Sequence, residues 1–94
     1  KVQGYRVELG EIEYHVQLFL KNIAAIAISY EKEVNTTEIA LFIESEIFDT
    51  ENLKKYLQKK IPAYMNPTKI LFEPLFPLNS NGKIDRNKLK GMVI

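Results

Sequence analysis

Apolar residues recur along the chain at two different spacings, and the changes between them mark out the elements. Leu9, Ile12, Val16, Phe19, Leu20 and Ile23 stand three or four apart, which predicts an amphipathic helix over residues 9–21 with one buried stripe. Residues 24–30 and 38–46 instead carry short apolar runs rich in Ile, Leu and Phe, on either side of the polar Glu31-Lys32-Glu33-Val34-Asn35-Thr36. That pattern predicts two strands in a hairpin. No polar position interrupts Ile39-Ala40-Leu41-Phe42-Ile43, so the second of these strands should be covered on both faces and lie centrally in its sheet. Helical spacing returns with Leu53, Tyr56, Leu57 and Ile61. Asp49 is placed to cap this helix, and Phe48 with Leu53 to form a hydrophobic staple across its start. Pro62 and Pro67 end it, residues 68–73 form a third core strand containing Ile70, Leu71 and Phe72, and Pro74 and Pro77 stop that strand in turn.

The two ends are less regular. Residues 1–8 alternate loosely around Val2, Tyr5 and Val7, interrupted by Gly4, as in a short strand or hairpin whose glycine permits a bend or the close approach of another backbone or ligand. At the other end Asp85 is placed to cap a short helix beginning at Arg86. The resulting order is strand, helix, strand, strand, helix, strand, short helix. It predicts an α+β domain over residues 1–94, a small sandwich with a central three-stranded sheet flanked by helices and an N-terminal short hairpin.

Composition narrows the function without naming it. Ninety-four residues with 46% hydrophobic and 27% charged positions suit one small globular domain with a modest core. A net charge of +1, without interleaved basic and exposed aromatic positions, argues against a nucleic-acid partner. The absence of cysteine removes disulfides, thiolate nucleophiles and thiolate metal sites. Apolar runs such as residues 39–43 are too short to span a bilayer, and the N-terminus lacks the layout of a signal peptide, so no membrane insertion and a cytoplasmic location are expected. The chain starts at Lys1 and passes at once into structured-looking sequence, which suggests a piece of a longer protein.

Several charged residues read as structural. Glu8, Glu11 and Glu13 crowd the start of the first helix, where the macrodipole favours carboxylates, and no metal site is assigned to them. His15 has no partner His or Cys and lies off the apolar stripe, so it is expected to be solvated and without a role. Lys54, Lys55, Lys59 and Lys60 suit a solvated face that complements the helix dipole, or alternatively a docking patch for an acidic partner.

Candidate chemistry sits in Pro77-Leu78-Asn79-Ser80-Asn81-Gly82-Lys83-Ile84-Asp85-Arg86. Asn79, Ser80, Asn81 and Gly82 tolerate tight or left-handed turns, which places Lys83 on an exposed, mobile tip. Its compact ammonium on a flexible stem is suited to meeting negative charge on a phosphate or carboxylate held elsewhere. Alone, such a lysine would be a solubilising surface charge.

Three stretches together change that reading. Lys1-Val2-Gln3-Gly4-Tyr5-Arg6-Val7-Glu8-Leu9-Gly10-Glu11-Ile12-Glu13, then Ile61-Pro62-Ala63-Tyr64-Met65-Asn66-Pro67, then Asn81-Gly82-Lys83-Ile84-Asp85-Arg86 resemble, in order and spacing, the last three core motifs of adenylate-forming enzymes. The resemblance covers essentially the whole chain and is to the C-terminal lid domain of that superfamily, most closely in nonribosomal peptide synthetase adenylation domains and D-alanine:carrier-protein ligases. It implies an ATP-dependent, AMP-forming amino-acid ligase, in which the small domain rotates over a large N-terminal domain that binds ATP with Mg2+ and the carboxylic acid. It implies further that Lys83 is the catalytic lysine of adenylation, supported in its loop by Gly82 and Asp85. Gly4 and Tyr5 would line the channel for the phosphopantetheine arm of a carrier protein, while Arg6 and Glu8 would be structural. Asn66 departs from the aliphatic residue usual before the second proline of its motif. Alternatives are a non-catalytic carrier-protein-binding or interaction module of the same fold, and the lid of an acyl-CoA synthetase.

Overall fold

The uninterrupted apolar run at residues 39–43 is the middle of the molecule. In the computed structural model, which describes residues 7–34 and 36–93, it lies within β2 (Thr36–Glu44). This strand pairs antiparallel with β1 (Ala25–Glu33) on one side and parallel with β3 (Lys69–Glu73) on the other, giving the order β1-β2-β3. All five residues of the run are at most 1% exposed. Because successive side chains of a strand point to opposite faces, Ile39, Leu41 and Ile43 enter one core and Ala40 and Phe42 the other.

Three helices supply the two covers. Ile12 and Val16 of α1 (Leu9–Leu20) and Leu53 and Leu57 of α2 (Glu51–Lys60) pack on the first face. Leu89 and Val93 of α3 (Arg86–Val93) pack on the second, beside Phe76. The architecture is the small α+β domain anticipated from the pattern, with a mixed three-stranded sheet between helices. The anticipated N-terminal hairpin falls on residues outside those described, apart from Val7 and Glu8, which have no regular structure.

Boundaries differ from expectation where polar contacts extend an element. The strands of the hairpin run through most of the polar stretch, to Glu33 and from Thr36, instead of stopping near Tyr30 and Glu38. Glu38 explains part of the extension, because its carboxylate accepts hydrogen bonds from the hydroxyls of Thr68 (2.9 Å) and Tyr30 (3.1 Å), with the Lys32 ammonium at 3.7 Å. These partners, Thr68 foremost, hold the carboxyl of Glu38 below its ordinary range. At the start of α2 the capping position belongs to Thr50, one residue later than expected; Asp49 still serves the helix, accepting the Glu51 N–H at 3.0 Å. Phe48 stacks edge-on against Phe72, with ring centroids 5.0 Å apart. Lys59 and Lys60 occupy the last turn of α2, and the Lys60 ammonium lies 5.6 Å from the Tyr56 ring centre.

Two residues of α1 take roles that the pattern did not assign. His15 is half-buried where full solvation was expected, because it stands one residue from Val16 and three from Ile12, on the border of the buried stripe. Glu13 does more than complement the dipole. Its Oε2 accepts the main-chain N–H of Ala27 (2.8 Å) on the outer edge of β1 and the Arg86 guanidinium (3.1 Å) at the start of α3. Ala27 is fully buried, so without Glu13 its N–H would lose its partner in an apolar setting. Glu13→Ala is therefore expected to lower stability by about 1–3 kcal/mol in denaturant unfolding, and Glu13→Gln, which keeps an acceptor oxygen, by clearly less.

Candidate functional site

The segment between β3 and α3 is fixed at both ends before its lysine is reached. Upstream, Phe76 is 2% exposed in the second core, and its N–H donates to the Glu44 carboxylate at 2.7 Å. Downstream, Ile84 packs partly against the same core and Leu89 is fully buried in it. Asp85 caps α3 as anticipated, accepting the Lys88 N–H on Oδ1 at 3.0 Å, while its own N–H donates to the Pro77 carbonyl at 2.8 Å. Leu78 and Ile84 pair as an antiparallel bridge, which closes residues 79–83 into a tight hairpin.

Asn79 organises that hairpin. Its carbonyl accepts the Gly82 N–H at 3.0 Å and its N–H donates to the Lys83 carbonyl at 2.7 Å. Its side-chain Oδ1 accepts two further main-chain N–H groups, those of Asn81 (2.8 Å) and Lys83 (3.1 Å). Asn at the first position of a turn and Gly at the fourth is a favoured pairing, and the carboxamide bond to the residue two along is an Asx-turn. Gly82 has φ of +79°, a left-handed conformation that glycine adopts without the penalty of a Cβ.

Lys83 is thus exposed, as expected, but the main chain carrying it is hydrogen-bonded and not a loose tip. Among the described residues its ammonium has no hydrogen-bond or ion-pair partner, whereas its main-chain N–H and carbonyl are both bonded to Asn79. The sequence-predicted loop residues Gly82, Lys83 and Asp85 are brought together here. Gly4 and Tyr5 lie outside the described residues. What sequence reasoning missed is the hub role of Asn79 and the link from Arg86 to Glu13. The first was open to detection as Asn and Gly at turn spacing before a lysine; the second joins residues 73 apart and left no local trace.

The second motif also closes on itself. Residues Ala63–Met65 form a 3-10 turn with Met65 buried, and the Asn66 carboxamide donates to the Pro62 carbonyl at 3.0 Å. The irregular asparagine of that motif therefore fastens its own turn. Among the described residues, no group of three or more His, Asp or Glu side chains is arranged to hold a metal ion. Nor is any helix there long and apolar enough to cross a membrane.

Comparison with known proteins places this geometry. No protein-family model matches the sequence. The chain is 37% identical over 97 residues to a D-alanine–D-alanyl carrier protein ligase of Bacillus licheniformis, an alignment covering 96% of the chain and 19% of that protein. It is 42% identical over 89 residues to a mycosubtilin synthase polypeptide of Bacillus subtilis, covering 95% of the chain and 3% of that protein. Among solved structures it superposes with a TM-score of 0.81 at 33% identity on a four-domain nonribosomal peptide synthetase bound to AMP and glycine, over 93% of the chain and 7% of that one. The chain matches the small C-terminal part of nonribosomal peptide synthetase adenylation domains and of D-alanine–D-alanyl carrier protein ligases. It spans a fifth or less of the curated relatives just described, and corresponds to the small C-terminal part of their ligase or adenylation domains.

The hairpin of this C-terminal domain separates two kinds of substitution. Gly82→Ala would meet no atom within 4 Å, so its cost is the left-handed backbone alone, roughly 1 kcal/mol. Lys83→Ala removes an exposed side chain and should shift stability by no more than about 0.5 kcal/mol. Thermal unfolding of the two variants side by side checks this order.

Proposed function

We propose that the chain is the mobile lid of an ATP-dependent, AMP-forming ligase that activates an amino acid as its adenylate and then passes it to the phosphopantetheine thiol of a carrier protein. The observation that carries this reading is a lysine ammonium with no partner among the described residues, on a hydrogen-bonded hairpin, in a chain that aligns over nearly all of its own length with a small part of a carrier-protein ligase and of a peptide synthetase. Adenylation joins a carboxylate oxygen to the α-phosphorus of ATP and expels pyrophosphate. Negative charge gathers on the oxygens around that phosphorus, where a positioned ammonium lowers the barrier by interactions stronger in the transition state than in the ground state.

Under this proposal each partner has a role. A large N-terminal domain in the same polypeptide would bind ATP, its Mg2+ and the amino acid. Lys83 would enter the large domain's pocket for adenylation. The segment containing Gly4 and Tyr5 would face it for transfer, where the thiol attacks the carbonyl carbon and AMP leaves. Gly82 and Asp85 would act through the hairpin, one by accepting the left-handed turn and the other by capping α3.

Lys83→Ala in the intact ligase should slow adenylation, measured by ATP–pyrophosphate exchange, by roughly 10² to 10³-fold, the loss seen when one preorganised charge-stabilising donor is deleted. Carrier loading from preformed aminoacyl-adenylate should persist. Normal adenylation by this variant would remove Lys83 from the mechanism.

A further inference from the structure

We propose that Asn79 is a positioning residue for Lys83: its carboxamide fixes the direction in which the lysine side chain leaves the hairpin. The proposal rests on the reading of Lys83 given above and extends it to a residue that touches no substrate.

Both main-chain polar groups of Lys83 end on Asn79. The Lys83 carbonyl accepts from the Asn79 N–H at 2.7 Å, and the Lys83 N–H donates to Asn79 Oδ1 at 3.1 Å. With both flanking peptide groups held, the Cα–Cβ direction of Lys83 is set relative to the bridge between Leu78 and Ile84 and, through Ile84, relative to the core. The same Oδ1 takes the Asn81 N–H at 2.8 Å, so one oxygen closes the turn around the intervening residues. Asn79 and Lys83 are both exposed, which places the carboxamide at the surface and not in the packed core.

An ammonium at the end of four flexible bonds gains little from a fixed Cβ unless it has to reach one place. Adenylation sets that demand. A near-attack arrangement tolerates displacements well under 1 Å, and every degree of freedom removed from the loop in advance is one that need not be frozen at the transition state. Releasing the Oδ1 contacts would leave the main-chain bonds from the Asn79 N–H to the Lys83 carbonyl and from the Gly82 N–H to the Asn79 carbonyl in place, but would free the peptide group between Gly82 and Lys83 to turn. Lys83 would then keep its charge and its reach and lose its aim. The effect should therefore fall on the rate of adenylation and not on substrate affinity or on thiol transfer, which does not use the lysine.

The test compares Asn79→Leu, Asn79→Ser, Lys83→Ala and the Asn79→Leu/Lys83→Ala double variant in the intact ligase. Leucine matches asparagine in shape and has no acceptor; the serine hydroxyl can accept the same main-chain N–H groups in an ST-turn. Asn79→Leu is expected to lower kcat for ATP–pyrophosphate exchange about 10-fold, a smaller loss than deletion of Lys83. KM for ATP and for the amino acid should stay within about 2-fold, carrier loading from preformed adenylate should be retained, and serine should recover at least half of the loss on a logarithmic scale. In the Lys83→Ala background the leucine should cost nothing further, because there is no ammonium left to aim. A leucine variant with normal kcat, full additivity in the double variant, no recovery by serine, or an equal fall in both half-reactions would each overturn the proposal. If Lys83→Ala itself adenylates normally, the reading of Lys83 falls; if only Asn79→Leu is normal, that reading stands and the positioning role alone is lost.

Discussion

Burial of β2 on both faces is the constraint from which the rest of the domain follows. A strand with no polar position from Ile39 to Ile43 cannot lie at an edge or on the surface without exposing apolar area, worth roughly 25 cal/mol for each Å². It must have a neighbour on either side and a cover on either face. β1 and β3 supply the neighbours, and α1 with α2 supplies the first cover. The second face is left to the last helix, so the chain must cross from the end of β3 to the start of α3 over residues 74–85. The lysine hairpin is that crossing. Its location is a consequence of Phe42 and Ala40 needing Leu89, Val93 and Phe76 over them.

Core packing fixes where the hairpin begins and ends, and hydrogen bonds fix its shape. Phe76 and Ile84 set the ends against one core, while Asn79 accepts or donates four bonds within the five residues it closes. A further tie runs outward through Arg86 to Glu13, and from the same carboxylate oxygen to the edge of β1. The exposed part of that ion pair contributes little stability by itself. Its structural meaning lies in joining α3, which follows the lysine, to α1, which follows the glycine segment. Both segments serve the two half-reactions under the proposed function, and the tie is a direct contact between their supporting helices.

Much of this was legible in the sequence because periodicity reports burial. The stripe through Ile12 and Val16, the unbroken run of β2 and the Leu53–Leu57 face were each visible as spacing, and the caps of α3 and the turn residues as local chemistry. What spacing could not show were contacts decided by tertiary structure. The outer end of the hairpin is supported in part because Glu38 meets Thr68, which stands just before β3. His15 is half-buried because of where the helix stripe ends against the sheet, and Glu13 binds a residue 73 positions away. The lysine loop was recognised as a turn, but residue preferences for turns do not tell an open loop from a closed hairpin. That difference comes from the pairing of Leu78 with Ile84, whose approach depends on Phe76 and Ile84 packing against the second core.

The central claim is that Lys83 is carried on a rigid frame and moves only along its side chain. The most direct measurement is the backbone 15N order parameter of the Lys83 amide, compared with those of Leu41 in β2 and Leu89 in α3. A held hairpin predicts a value near that of the two core residues, about 0.85, with disorder confined to the side-chain carbons. A value below about 0.6 at Lys83, with Leu41 and Leu89 still rigid, would show a loose loop and contradict the account.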